Sequence, residues 1–232
     1  MTVVPMDRER LLEDQIVLVR GDRIVRVGDR GSIRTRSADR IVQGRGRYLL
    51  PGLVDMHVHA WTPAELVQYV AYGVTSVRNM WGSTLQLAWR DKVLSGTMLG
   101  PTIFATGPVM DGDPPVWTGA KVVRNAPEAR RAVQGQKGKG YDAIKVYDRL
   151  SPDAYAAILS AAAEEGLPVV GHVPDAVGLD QVLHLGQDSI EHLSGYLSAI
   201  ADRDPAARPR GDPSSRRRAM EHLDLGKIPT LA

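Results

Sequence analysis

His57 and His59 lie one residue apart at the end of the apolar segment Leu49 to His59 (LLPGLVDMHVH). If that segment is a strand, its side chains alternate, so both imidazoles project from one face at the C-terminal end. Two ring nitrogens so placed can ligate one divalent ion and leave room for donors from other strands. Taken alone, the tripeptide is as compatible with two hydrogen-bonded core histidines as with a metal.

Lys145 is the second unusual residue. In Ala143-Ile144-Lys145-Val146-Tyr147, Ile144 and Val146 share one face and Ala143, Lys145 and Tyr147 the other. If the aliphatic pair packs against helices, the lysine points into the interior, where an ammonium is costly unless paired or neutralised. Carboxylation of its amine by carbon dioxide would turn it into an anionic oxygen ligand able to bridge two ions. A salt bridge to a carboxylate such as Asp55 is the plainer alternative. His172 (VVGHV) and His192 (SIEHL) close two further short apolar segments. The remaining histidines, His184 and His222, fall in helical stretches and read as surface or packing residues.

These residues need a frame that gathers strand ends. Candidate strands are Leu49 to His59, Val74 to Met80, Thr102 to Met110, Ala143 to Asp148, Val169 to Val173, Ser189 to Leu193 and Ile228 to Leu231. Between them, Pro63 to Tyr72, Thr84 to Leu94, Pro127 to Lys139, Ser151 to Glu165, Leu179 to Leu185 and Ser214 to Leu225 have helical spacing. Ser151-Pro152 is a helix start and Gly166 a stop. The alternation predicts parallel βαβ units in an α/β fold, either doubly wound or a barrel. The turn after the first strand, His59 to Pro63, lacks the glycines of a nucleotide-binding sheet. The polar residues cluster at C-terminal strand ends, which favours a TIM-like (β/α)8 barrel, incomplete at about seven strands. Residues 1–48 differ: Gln15 to Arg20, Arg23 to Gly28 and Arg40 to Val42 read as antiparallel strands, with a hairpin turn at Gly21-Asp22. The expected organisation is an antiparallel β region over residues 1–48 and the barrel over 49–232.

Composition narrows the function classes. The chain is 43% hydrophobic and 24% charged, as an ordinary globular protein is. A net charge of +2, with basic residues spread along the chain, gives no electrostatic case for nucleic acid. Without cysteine there is neither a disulfide framework nor a thiolate nucleophile or ligand, and no G-x-S-x-G elbow suggests a serine nucleophile. No stretch approaches the roughly 18 apolar residues of a membrane span, and no export signal is visible, so a cytoplasmic location without membrane partners is expected.

Together YLLPGLVDMHVH, the strand bearing Lys145, VVGHVP and SIEHLSG resemble the amidohydrolase superfamily, in the branch that includes imidazolonepropionases and Xaa-Pro dipeptidases. The resemblance covers nearly the whole chain, and it implies that residues 1–48 form part of the small β-sandwich that flanks the barrel of residues 49–232. It implies His57 and His59 on the more buried metal, His172 and His192 on the second, and carboxylated Lys145 bridging them. It implies two divalent ions, zinc by expectation, and carbon dioxide for the carboxylation. Lys145 and His192 are the residues expected at the chemistry: a metal-activated hydroxide would attack an amide of a dipeptide or cyclic amide. The pattern also implies an aspartate ending an eighth strand, whereas the sequence stops at Ile228 to Ala232, read as the seventh. The expectation is a fragment that hydrolyses little alone, with unpaired edges that favour homo-oligomers. The alternative is a non-catalytic fragment or binding protein of the same fold.

Around this centre Arg78, Tyr147 and Trp117 are candidate substrate-binding residues, Arg78 for a carboxylate and Trp117, in the Pro/Gly-rich loop Asp111 to Gly119, as an apolar wall. Asn79 beside Arg78 is a candidate for the same pocket; a structural role is the commoner reading for Arg78, Asn79 and Tyr147, and ordinary loop packing is an equal one for Trp117. Trp61, Trp81 and Trp89 read as packing residues. The arginine-rich stretch Asp202 to Arg218 reads as a solvated loop.

Overall fold

The computed structural model describes residues 1–34, 36 and 40–203. The expected helix Ser214 to Leu225, the strand Ile228 to Leu231, most of the arginine-rich loop and His222 lie outside these residues. Two compact units divide the chain, Met1–Leu53 and Val54–Ala232.

In the first unit β1 (Thr2–Val3) pairs in parallel with β4 (Tyr48–Leu49), and β2 (Gln15–Arg20) pairs antiparallel with β3 (Arg23–Asp29). Gly21 has φ +63°, which a tight hairpin turn demands and glycine accepts without strain. The expected strand Arg40 to Val42 does not form: its residues are exposed and find no partner edge.

The second unit is α/β. Its elements are β5 (Leu53–Val58), α1 (Pro63–Ala71), β6 (Val74–Asn79), α2 (Thr84–Leu94), β7 (Thr102–Ala105), β8 (Met110–Asp111), β9 (Lys121–Val122), α3 (Ala126–Gly138), β10 (Ile144–Val146), α4 (Pro152–Glu164), β11 (Val169–Gly171), α5 (Leu179–Leu185), β12 (Ser189–Ile190) and α6 (Tyr196–Arg203), with a 3-10 turn at Glu191–Leu193. One sheet has the order β5-β6-β7 and the other β12-β11-β10-β8-β9. A parallel bridge from Thr106 to Ala143 links them. The expected single strand Thr102 to Met110 is therefore two, broken at Gly107-Pro108, where proline has no amide hydrogen to donate. Its first half pairs with β6 and its second with β10. Leaving aside the short β9 on its outer edge, the strand order in space follows the order in sequence, with no reversal.

The helices form where their signals place them. Ser83 and Gln86 make a reciprocal capping box on α2, Asn125 caps α3 and Ser151 caps α4, each satisfying an amide that the first turn leaves free. Helices α3 and α4 bury Val133, Tyr155 and Ile158 against Ile144 and Val146 of β10. Leu66 of α1 and Trp89 of α2 pack with Val58, Val77 and Ile103 of β5 to β7. Trp89 is thus the packing residue it was read to be.

Candidate active site

Because Ile144 and Val146 are spent on the α3 and α4 core, Lys145 faces the opposite side of β10, and only 2% of it is exposed. Its Nζ lies 3.4 Å from His57 Nε2. The alternative salt bridge to Asp55 is not made: Asp55 accepts from the backbone N–H of His57, and among the described residues no carboxylate oxygen lies within 4.0 Å of the ammonium. Burial, partly offset by the negative charge of Glu191, pushes the Lys145 ammonium down to about 8. The amine is correspondingly more available for carbamate formation near neutral pH.

The imidazoles gather around this lysine. His57 Nε2 and His59 Nε2 are 3.2 Å apart. The His192 ring stands 4.4 Å from that of His57 and 5.4 Å from that of His172. Burial, with the charge of Lys145 next in weight, pushes His59 down to about 4; burial likewise lowers His57, against a hydrogen bond to Glu191, and lowers His192. These three rings are therefore held neutral at pH 7, the form that offers a lone pair.

The backbone that presents the second pair differs from expectation. The strands expected over Val169 to Val173 and Ser189 to Leu193 stop at Gly171 and Ile190. Gly171 has φ +132°, and a Cβ there would stand 2.2 Å from the Val146 carbonyl oxygen, so the chain passes β10 too closely for any side chain. His192 has φ +58° and ψ +18°, followed by Leu193 at φ +52°. Left-handed conformations in successive non-glycine residues carry strain of the kind found at functional sites. Here the turn brings Glu191 and His192, adjacent in sequence, onto the same group of residues.

Glu191 is the principal residue that sequence reasoning missed. Its Oε2 lies 2.6 Å from His57 Nδ1, while its Oε1 accepts from Arg78 Nη2 at 2.6 Å and from Ser189 Oγ at 2.5 Å. Burial pulls its carboxyl upward, but the hydrogen bonds from Ser189 and His57 and the charge of Arg78 outweigh it, leaving the group below the usual carboxylate range. His172 Nδ1 has an equivalent partner, Asp148 Oδ1 at 2.7 Å.

The expected substrate residues divide. Trp117 Nε1 donates to Tyr147 Oη at 2.8 Å, and Tyr147 stacks on His172 at 4.1 Å, so these two meet beside the cluster. The loop carrying Trp117 is held by buried Asp111, whose carboxylate accepts from the N–H groups of Gly112, Val116 and Arg149. Arg78 instead turns inward to Glu191, Ser189 and the Met56 carbonyl. Asn79 is buried and clamps Ala60 N–H and the Trp81 carbonyl, a structural role. Trp61 and Trp81 are not simply packed away. Trp61, 56% exposed, lies parallel to the His59 ring at 6.2 Å, and a row runs from it through Trp81 to Trp117 at 6.3 and 6.4 Å. His184 is exposed in the last turn of α5.

Among the described residues, no three of His, Asp and Glu converge on one point closely enough to hold an ion by themselves. The donor chemistry nevertheless fits one. Two ligands of a tetrahedral zinc at 2.0–2.1 Å stand about 3.3 Å apart, close to the separation of the His57 and His59 nitrogens. Lys145 would supply the third donor once carboxylated, and among the described residues His59 Nδ1 is buried with no hydrogen-bond partner, so no neighbour holds a proton there.

Solved structures of similar architecture agree with this reading of the fold. A bottromycin amidohydrolase is 32% identical over 75% of this chain, with a TM-score of 0.66, and a putative prolidase from Bifidobacterium longum is 27% identical over 82%, with a TM-score of 0.71. A prolidase complexed with N-methylphosphonate-L-proline shares the fold at 21% identity over 95% of this chain and 71% of its own, with a TM-score of 0.67. The chain spans 38% and 52% of the lengths of the first two. No curated protein sequence matches it. The sequence profile of the Amidohydrolase family matches residues 48–208, and the chain belongs to that family.

Proposed function

We propose that this chain is part of a metal-dependent hydrolase that cleaves an amide C–N bond in a dipeptide or cyclic amide. The observation that carries the reading is the convergence of three neutral imidazoles and His172 on a buried lysine that has no carboxylate partner among the described residues. The monotonic parallel strand order supports a TIM-like barrel from residue 49 onward, preceded by part of a β-sandwich.

His57, His59 and Lys145 would hold one divalent ion and Lys145, His172 and His192 a second. When bound, such ions polarise a carbonyl and acidify water. In carboxylation the Lys145 lone pair forms a bond to the carbon of carbon dioxide, one C=O π pair moves onto oxygen, and the proton lost by the amine passes to solvent water. His192, at the strained turn, stands with its neutral ring 4.4 Å from that of His57 and 5.4 Å from that of His172. Trp117 and Tyr147, fixed to each other, wall the substrate side, and Trp61 and Trp81 extend that wall as an apolar surface. The names of the prolidase and bottromycin amidohydrolase neighbours favour a peptide-derived amide.

Refolding with zinc and bicarbonate should give about two ions per chain by metal analysis, and Lys145→Ala should leave one weakly held ion. Few ions in both proteins would replace this reading with a non-catalytic role for the fold.

A further inference from the structure

Glu191 is clamped by three side chains. One oxygen is engaged by His57, while the other takes both Arg78 and Ser189. Arg78 is itself fixed, because its Nε donates to the Met56 carbonyl at 2.8 Å, one residue before His57. The carboxylate therefore cannot rotate without losing charge-assisted bonds, each stronger than a neutral one. Asp148, which plays toward His172 the part that Glu191 plays toward His57, has a side chain 33% exposed and no such clamp.

We infer that Glu191, locked by Arg78 and Ser189, is the positioning residue that fixes the tautomer and ring plane of His57, and that Arg78 serves this lock rather than a substrate carboxylate. A carboxylate accepting at Nδ1 holds the ring proton there and leaves Nε2 as a bare lone pair. That lone pair faces His59 Nε2 at 3.2 Å and Lys145 Nζ at 3.4 Å. Without the clamp, a proton on Nε2 would occupy the space where the two histidines and the lysine meet. Carboxylates behind metal-ligating histidines act in this way, and their loss typically weakens metal binding 10–100-fold.

The consequence for metal affinity rests on the metal-site reading above; the tautomer does not, so the two can fail separately. The test uses the whole chain with ¹⁵N-labelled histidine and no metal, at about pH 8, where the ordinary imidazole is neutral. His57, assigned by its loss in His57→Asn, should show the proton on Nδ1 in the wild type and on Nε2 in Glu191→Ala. Glu191→Gln, which keeps an acceptor, should restore the wild-type pattern in part. Zinc affinity, measured by competition with a chelator, should fall roughly 10–100-fold in Glu191→Ala and less in Glu191→Gln. Arg78→Met should also weaken zinc binding. If Arg78→Met leaves zinc affinity unchanged and raises only KM for a dipeptide, Arg78 is a substrate residue and that half is overturned. A wild-type His57 protonated on Nε2, or a folded Glu191→Ala with wild-type tautomer and zinc affinity, overturns the positioning role. Should Glu191→Ala not fold, Ser189→Ala and Glu191→Gln report the same tautomer. Normal His57 tautomers with no zinc bound by the wild type would sink the metal reading alone.

Discussion

The two histidine pairs reach one place by different means. His57 and His59 stand at the end of β5, where ordinary alternation along the strand aims both rings the same way. His172 and His192 come just after β11 and β12 have ended, on backbone that strands do not use. The first pair is placed by a repeating geometry that any strand supplies. The second depends on a close approach at Gly171 and a left-handed turn at His192, so single backbone changes there should matter far more.

The largest effect should come from Gly171→Ala. Its new methyl would meet the Val146 carbonyl at φ +132°, and a loss of roughly 3 kcal/mol in urea unfolding is expected, a large share of the about 5–15 kcal/mol that holds a domain folded. On the β5 side the leading effect is of pH. Since His59 is held at about 4 against an ordinary 6.5, the unfolded chain binds its proton first as pH falls. Stability should thus drop from about pH 6.5 to about pH 4 and be insensitive to this group above that range, with His57 and His192 acting in the same direction. Urea midpoints across the range test this, and His59→Gln should flatten part of the slope; a level profile in the wild type would refute it. Leu193→Gly should stabilise the protein by about 1 kcal/mol, because glycine relieves the left-handed strain at an exposed site. Met56→Ala, at an exposed position on the regular strand between Asp55 and His57, should change stability by no more than about 0.5 kcal/mol. If it costs as much as Gly171→Ala, the contrast between the pairs is not one of backbone.

The same contrast explains what the letters disclosed. Lys145 was legible because Ile144 and Val146 both needed a helix to cover them, which left one direction for the residue between. The helices were legible from Ser83, Asn125 and Ser151 at their starts. Glu191 was not. In a continued strand, His192 facing inward sends Glu191 outward, and only the turn at φ +58° brings both to the site. No residue at position 192 signals that turn; Gly195, also at positive φ, is the nearest hint. The break at Gly107-Pro108 was readable from composition, since a proline inside a strand argues against continuity. Arg78 looked free because its partners come from β12 and from the turn after it, about 110 residues away along the chain.

The handover at Thr106 has a further consequence. Among the described residues, the sheet holding His57 and His59 meets the sheet holding Lys145 and His172 through one backbone bridge and the side-chain bonds of His57 and Arg78 to Glu191 and Ser189. The candidate ligands therefore straddle a seam. Whatever they grip in common would rivet the two halves together, so that heating a loaded protein would melt both in one transition, whereas the bare seam could part first.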